Sequence, residues 1–174
     1  MLILLGQLLA SLAFAAAVPT NTEVPFTRAL ANARQVADLN TGWKIYLSRG
    51  ESMLPQIDHN SLLLVARGDY DQLSTGMLVI YRDADGDLVS HRLIAHTSAG
   101  WVAKGINNYD ADRGLVTRDN FQGTVFGIMH YQNGTDDLSS IPSAQRPAIA
   151  YAKSNKIKSD STLLAARSVA GFTK

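Results

Sequence analysis

Two side chains in this sequence carry the parts of an acyl-transfer centre. Ser52 lies in Arg49-Gly50-Glu51-Ser52-Met53-Leu54-Pro55, between a flexible glycine and a proline, and His91 lies in the apolar run Leu88-Val89-Ser90-His91-Arg92-Leu93-Ile94. A serine hydroxyl is a weak nucleophile until a base removes its proton, and a neutral imidazole, with an ordinary pKa of about 6.5, does that near neutral pH. Such a base works best when a carboxylate orients it. Asp110 and Asp112, in the stretch from Gly105 to Gly114, are the nearest candidates, and Lys104 is the alternative base. The bland readings are a turn for Ser-Met-x-Pro, a cross-strand histidine and a loop-bracing lysine. His59, His96 and His130 lack comparable surroundings and read as surface or structural residues. His91 and His96, five apart on a strand, fall on opposite faces, so no metal signature emerges.

The elements that must position these residues are mostly strands. Trp43-Lys44-Ile45-Tyr46-Leu47 alternates with period two, and Ser61 to Val65 and Met77 to Tyr81 are short apolar runs of buried-strand type. Asp83-Ala84-Asp85-Gly86-Asp87 is turn chemistry, which predicts a hairpin joining the Met77–Tyr81 run to the Leu88–Ile94 run. Ser98-Ala99-Gly100 repeats the device before Trp101-Val102-Ala103, and Thr124 to Met129 is the last strand expected. The result is a mainly β core of about six or seven strands, antiparallel where the turns are this short. Ahead of it, Thr20 to Asn40 carries apolar residues at roughly helical spacing after Pro25 and reads as a short linking helix. After Pro142 the composition turns to Ala, Ser and Lys, which predicts a weakly ordered or helical tail.

Composition narrows the functional classes. With 174 residues and 46% hydrophobic content the chain can bury one ordinary core, and 16 Lys+Arg against 15 Asp+Glu give no support to nucleic-acid binding. The lack of cysteine excludes disulfides, thiolate metal sites and cysteine nucleophiles. From Leu2 to Val18 no residue is charged, and small residues gather before Pro19. That segment is expected to be either a removed export signal or a retained membrane anchor, and either one delivers the remainder across a membrane. The expected organisation is therefore a signal or anchor over 1–18, a linker with a short helix over 19–42, a β domain over 43–134 and a tail over 135–174.

Beyond residue chemistry, the order of short motifs resembles the signal peptidase I and self-cleaving repressor clan. Gly50-Glu51-Ser52-Met53-Leu54-Pro55 is similar to its nucleophile box, Asn60 to Val65 and Gly76 to Tyr81 to the two boxes that follow, and His91-Arg92-Leu93-Ile94 to the general-base box. Lys104-Gly105-Ile106-Asn107-Asn108-Tyr109-Asp110-Ala111-Asp112-Arg113-Gly114-Leu115 resembles the segment that closes the site. The histidine resembles the endoplasmic-reticulum and archaeal-type branch, since bacterial-type members carry a lysine there. Ile106, Met77 and Asn60-Ser61 depart from the usual acidic or glycine residues, which marks a divergent member.

The resemblance implies Ser52 as nucleophile, His91 as base and Asp112, directly before Arg113-Gly114, as the supporting carboxylate, with Asp110 and Lys104 as alternates. It implies a signal-peptidase-like β domain with an N-terminal apolar helix, membrane-anchored with its catalytic domain outside the cytoplasm, or exported. The expected activity is cleavage of an exported or membrane-bound protein segment after small residues, without a metal or other cofactor. The expected partner is a protein or peptide substrate. Alternatives are a specialised maturation or self-cleaving peptidase of the same clan and an inactive β-rich binding module.

Overall fold

The computed structural model describes residues 22–153. The apolar segment Leu2–Val18, with the helix expected there, and the residues after Lys153 lie outside that range. Among the described residues there is one α-helix, α1 (Phe26–Ala37), and seven strands: β1 (Trp43–Gly50), β2 (Ser61–Ala66), β3 (Leu78–Arg82), β4 (Leu88–Thr97), β5 (Gly100–Lys104), β6 (Phe121–His130) and β7 (Ala148–Ala152). The protein is thus mainly β, built on one sheet. Strand order is β3-β6-β2-β1-β7-β4-β5, and β3 also pairs with β4. That extra pairing closes β3, β6, β2, β1, β7 and β4 into a ring, with β5 attached outside it on β4.

Closure explains the sequence pattern. β1 and β2 run antiparallel with Tyr46 opposite Leu63 and Leu47 opposite Leu62. Alternation then sends Tyr46, Leu63, Val65, Leu78 and Ile80 into one buried cluster and Leu47, Leu62 and Leu64 into another, beneath α1. β2 is buried on both faces, which is why Ser61 to Val65 is a continuous apolar run. Each large aliphatic side chain enclosed this way contributes about 1.5–3 kcal/mol. A third cluster, Val79, Tyr81, Val89, Leu93, Trp101, Ala103 and Val116, lies on the other face of β3 and β4.

Two expectations need correction. α1 does more than link, because its stripe of Phe26, Ala29, Leu30 and Ala33 is buried against Leu47, Leu62 and Tyr131. The region after residue 134 is not a frayed or helical tail throughout, because Ala148–Ala152 forms β7, in parallel pairing with β1. Its buried positions are Ala150 and Ala152, so the strand is held by backbone pairing, and a search for large apolar residues passes over it. The hairpin between β3 and β4 forms as expected: Asp83 accepts from the backbone N–H of Asp85 and of Asp87, each at 3.0 Å.

Candidate active site

Ser52 follows the last residue of β1 by two positions, where the chain leaves the sheet in a sequence of turns. Arg49 braces that loop: its guanidinium donates to the His59 carbonyl at 2.8 Å and pairs with Asp136. The Leu54–Pro55 peptide is cis. On the far side the segment after β5 folds over the serine. Asn107 N–H donates to the Ser52 carbonyl at 2.6 Å, and the Asn107 side chain donates to the Glu51 carbonyl at 3.1 Å. Such close approach requires glycine at 105, since a Cβ there would stand 2.7 Å from both Ser52 Cβ and the Ser52 carbonyl oxygen.

His91 comes from the middle of β4. It pairs with Val79 of β3, and alternation puts it on the face of Val89 and Leu93, outside the ring interior. Its Nε2 lies 2.7 Å from Ser52 Oγ, and its Nδ1 lies 2.6 Å from Asp112 Oδ2. A carboxylate can only accept, so Nδ1 carries the proton and Nε2 keeps the lone pair that receives the serine proton. Asp112 is anchored through its backbone, whose N–H donates to the Ala103 carbonyl of β5 at 2.9 Å. Ser52 and His91 are each 1% exposed. The three residues singled out from the sequence are therefore brought into one hydrogen-bonded line.

The alternates fall elsewhere. Lys104 pairs with Arg92, on the face of the β4–β5 ladder away from His91. Asp110 is exposed and lines, with Asp112, His91 and Lys153, a cavity of about 680 Å³ beside the imidazole. His96 stacks on Trp101 with ring centroids 4.4 Å apart, and His130 Nδ1 lies 3.0 Å from Ser61 Oγ.

One member escaped the sequence reading. Tyr81 donates its hydroxyl to Asp112 Oδ2 at 2.5 Å, so one carboxylate oxygen receives both the phenol and the imidazole N–H. Burial, then the charge of Asp112 and the hydrogen bond to it, hold the Tyr81 hydroxyl far above the ordinary phenol range, so it stays a donor. In sequence Tyr81 is the last apolar residue of a strand. The available signal was its alternation with Val79, which places it on His91's face of the β3–β4 hairpin.

The arrangement can move a proton from Ser52 to His91 while Asp112 stabilises the imidazolium that forms. No protein-family model, curated protein or solved structure matches this chain.

Proposed function

We propose that this protein is a serine endopeptidase of the signal-peptidase type, cleaving an exported or membrane-bound protein segment after small residues. The observation that carries the reading is the line from Ser52 Oγ through His91, both buried, to the partly buried Asp112, with contacts of 2.7 and 2.6 Å. His91 Nε2 takes the hydroxyl proton as Ser52 Oγ attacks the scissile carbonyl. The backbone N–H of Ser52 donates to the developing oxyanion, a contact worth about 3 kcal/mol in serine enzymes. His91 then gives its proton to the leaving amine, and water hydrolyses the acyl-serine ester by the same route in reverse. The ring of strands with a serine just past the end of one strand and a histidine on another supports the finer reading of a signal-peptidase-like β domain. The apolar Leu2–Val18 segment supports a domain working outside the cytoplasm, anchored or exported.

The test is cleavage of an Ala-X-Ala peptide, together with labelling of the protein by a fluorophosphonate. Wild type is expected to cleave and to be labelled at Ser52, and Ser52→Ala to do neither while keeping its thermal midpoint. A folded protein inert to both reagents, as wild type and as Lys153→Glu, which lacks the ammonium contacts to Asp83, Asp85 and Asp87, overturns the reading and leaves a binding module.

A further inference from the structure

The strand that closes the ring is placed as a substrate would be. β7 lies between β1, which leads to Ser52, and β4, which carries His91, and it runs parallel to each. Adding an extended segment beside an existing strand is a general mode of peptide recognition, in which backbone pairing gives affinity and alternate side chains give specificity. Here the alternate side chains facing inward are small: Ala150 is 0% exposed and Ala152 3%, while Tyr151 between them is 40% exposed.

The carbonyl of Ala152 meets the nucleophile's own residue. Ser52 N–H donates to it at 3.4 Å, a ground-state contact with room to tighten on an oxyanion. Gly50, with φ +111°, permits the approach, because a Cβ there would stand 2.3 Å from the Ala152 oxygen. The far side of the same peptide bond is also held. Lys153 Nζ lies 2.5 Å from Asp83, 2.7 Å from Asp87 and 3.4 Å from Asp85, and the Lys153 carbonyl accepts from Asn108 Nδ2 at 3.0 Å. Among the described residues the buried side-chain oxygens without a hydrogen-bond partner are Ser48 Oγ and Ser90 Oγ, on the two strands that flank β7. Permanent walls satisfy their polar groups, and Ser48 is in register with Ala150.

We propose that Ala148–Lys153 is a substrate strand supplied in cis and that Ser52 cleaves the Ala152–Lys153 peptide bond. The inference rests on the reading of Ser52 as nucleophile. Ser52 Oγ bonds to the Ala152 carbonyl carbon as its proton passes to His91. The C–N bond to Lys153 then breaks, and the Lys153 nitrogen leaves as an amine with that proton. One water hydrolyses the ester and leaves Ala152 as a carboxylate, so the net reaction is hydrolysis of one peptide bond. The near-complete burial of Ser52 and His91 follows, because the groove is already filled.

Intact mass spectrometry of the purified full chain tests this. Wild type is expected to yield a species ending at Ala152 and a fragment beginning at Lys153, with a half-life unchanged by tenfold dilution. Ser52→Ala stays intact, alone or mixed with wild type. Lys153→Pro keeps Ala152 extended, presents a bond that serine peptidases do not cut, and stays intact with near-wild-type circular dichroism. Cleavage elsewhere, cleavage persisting in Ser52→Ala, or clipping of Ser52→Ala by wild type overturns the proposal. So does a wild type that stays whole. In that event cleavage of an Ala-Tyr-Ala-Lys peptide by wild type, or by Lys153→Glu with a fourth carboxylate set against Asp83, Asp85 and Asp87, keeps the peptidase reading. Failure of both on the peptide removes that reading as well.

Discussion

At the residue scale the centre depends on a carboxylate oxygen that receives two hydrogen bonds. Asp112 holds the tautomer of His91, so Asp112→Asn is expected to cut kcat by roughly 10³–10⁴-fold with little change in KM, as the amide favours the wrong imidazole tautomer. Asp110→Asn, two positions away and exposed, is expected to change kcat less than threefold. The reverse ranking in kinetics measured across pH would move the orienting role to Asp110. Tyr81 positions Asp112 and touches no reacting atom. Tyr81→Phe removes one hydrogen bond to a charged acceptor, worth about 1.5 kcal/mol, so kcat should fall about tenfold. Because the phenol is held neutral, the shape of the pH profile at its alkaline end should not change. A new alkaline limb in Tyr81→Phe would show that the phenol titrates in the wild type.

At the element scale the clamp between Lys153 and the β3–β4 hairpin ties β7 to the ring. For Asp83, burial pushes the carboxyl up, but the hydrogen bond from Lys153, those from the Asp87 and Asp85 N–H groups and the Lys153 charge outweigh it, leaving the group below its ordinary range. For Lys153, hydrogen bonds from its ammonium to Asp83 and Asp87 come first among the causes that raise its pKa. A depressed carboxylate stabilises above its unfolded pKa and loses that contribution as pH falls through the folded value. A raised ammonium stabilises below its unfolded pKa and loses that contribution only as pH climbs through the folded value. The clamp is therefore expected to hold from about pH 4 to about pH 10 and to loosen below about pH 4. Amide exchange at Ala152 and Lys153 in Ser52→Ala, corrected for intrinsic rates, should rise selectively there. Equal protection at pH 3 and pH 6 would show that the carboxylates do not hold the strand.

At the scale of the whole molecule, site and core share the same strands. Leu63 is fully buried in the interior cluster, opposite Tyr46 on the strand that leads to Ser52. Leu63→Ala is expected to cost about 2–5 kcal/mol in denaturant unfolding, whereas Leu39→Ala, at a position 77% exposed, should cost less than about 0.5 kcal/mol. Similar midpoints for the two variants would mean that the cluster relaxes around the cavity and that the ring is not what holds β1 in place.

Local chemistry made much of this legible in the sequence. Period-two alternation and turn residues located most of the strands, because each side chain of a strand reports one face and each Asp/Gly cluster reports a reversal. Ser52, His91 and Asp112 could be named because nucleophile, base and carboxylate differ in kind from the apolar residues around them. Residue chemistry alone left Asp110 and Asp112 equivalent, the resemblance favoured Asp112 through its place directly before Arg113-Gly114, and the tertiary structure supplied the physical reason, a backbone contact to Ala103 that sets the Asp112 carboxylate against His91. Tyr81's part depended on the register of β3 against β4, a non-local quantity. β7 was the least legible element. Its inward residues are alanines, so burial leaves no hydrophobic signal, and its partners β1 and β4 lie far back in the chain. Only closure of the ring decided that this stretch stands beside Ser52.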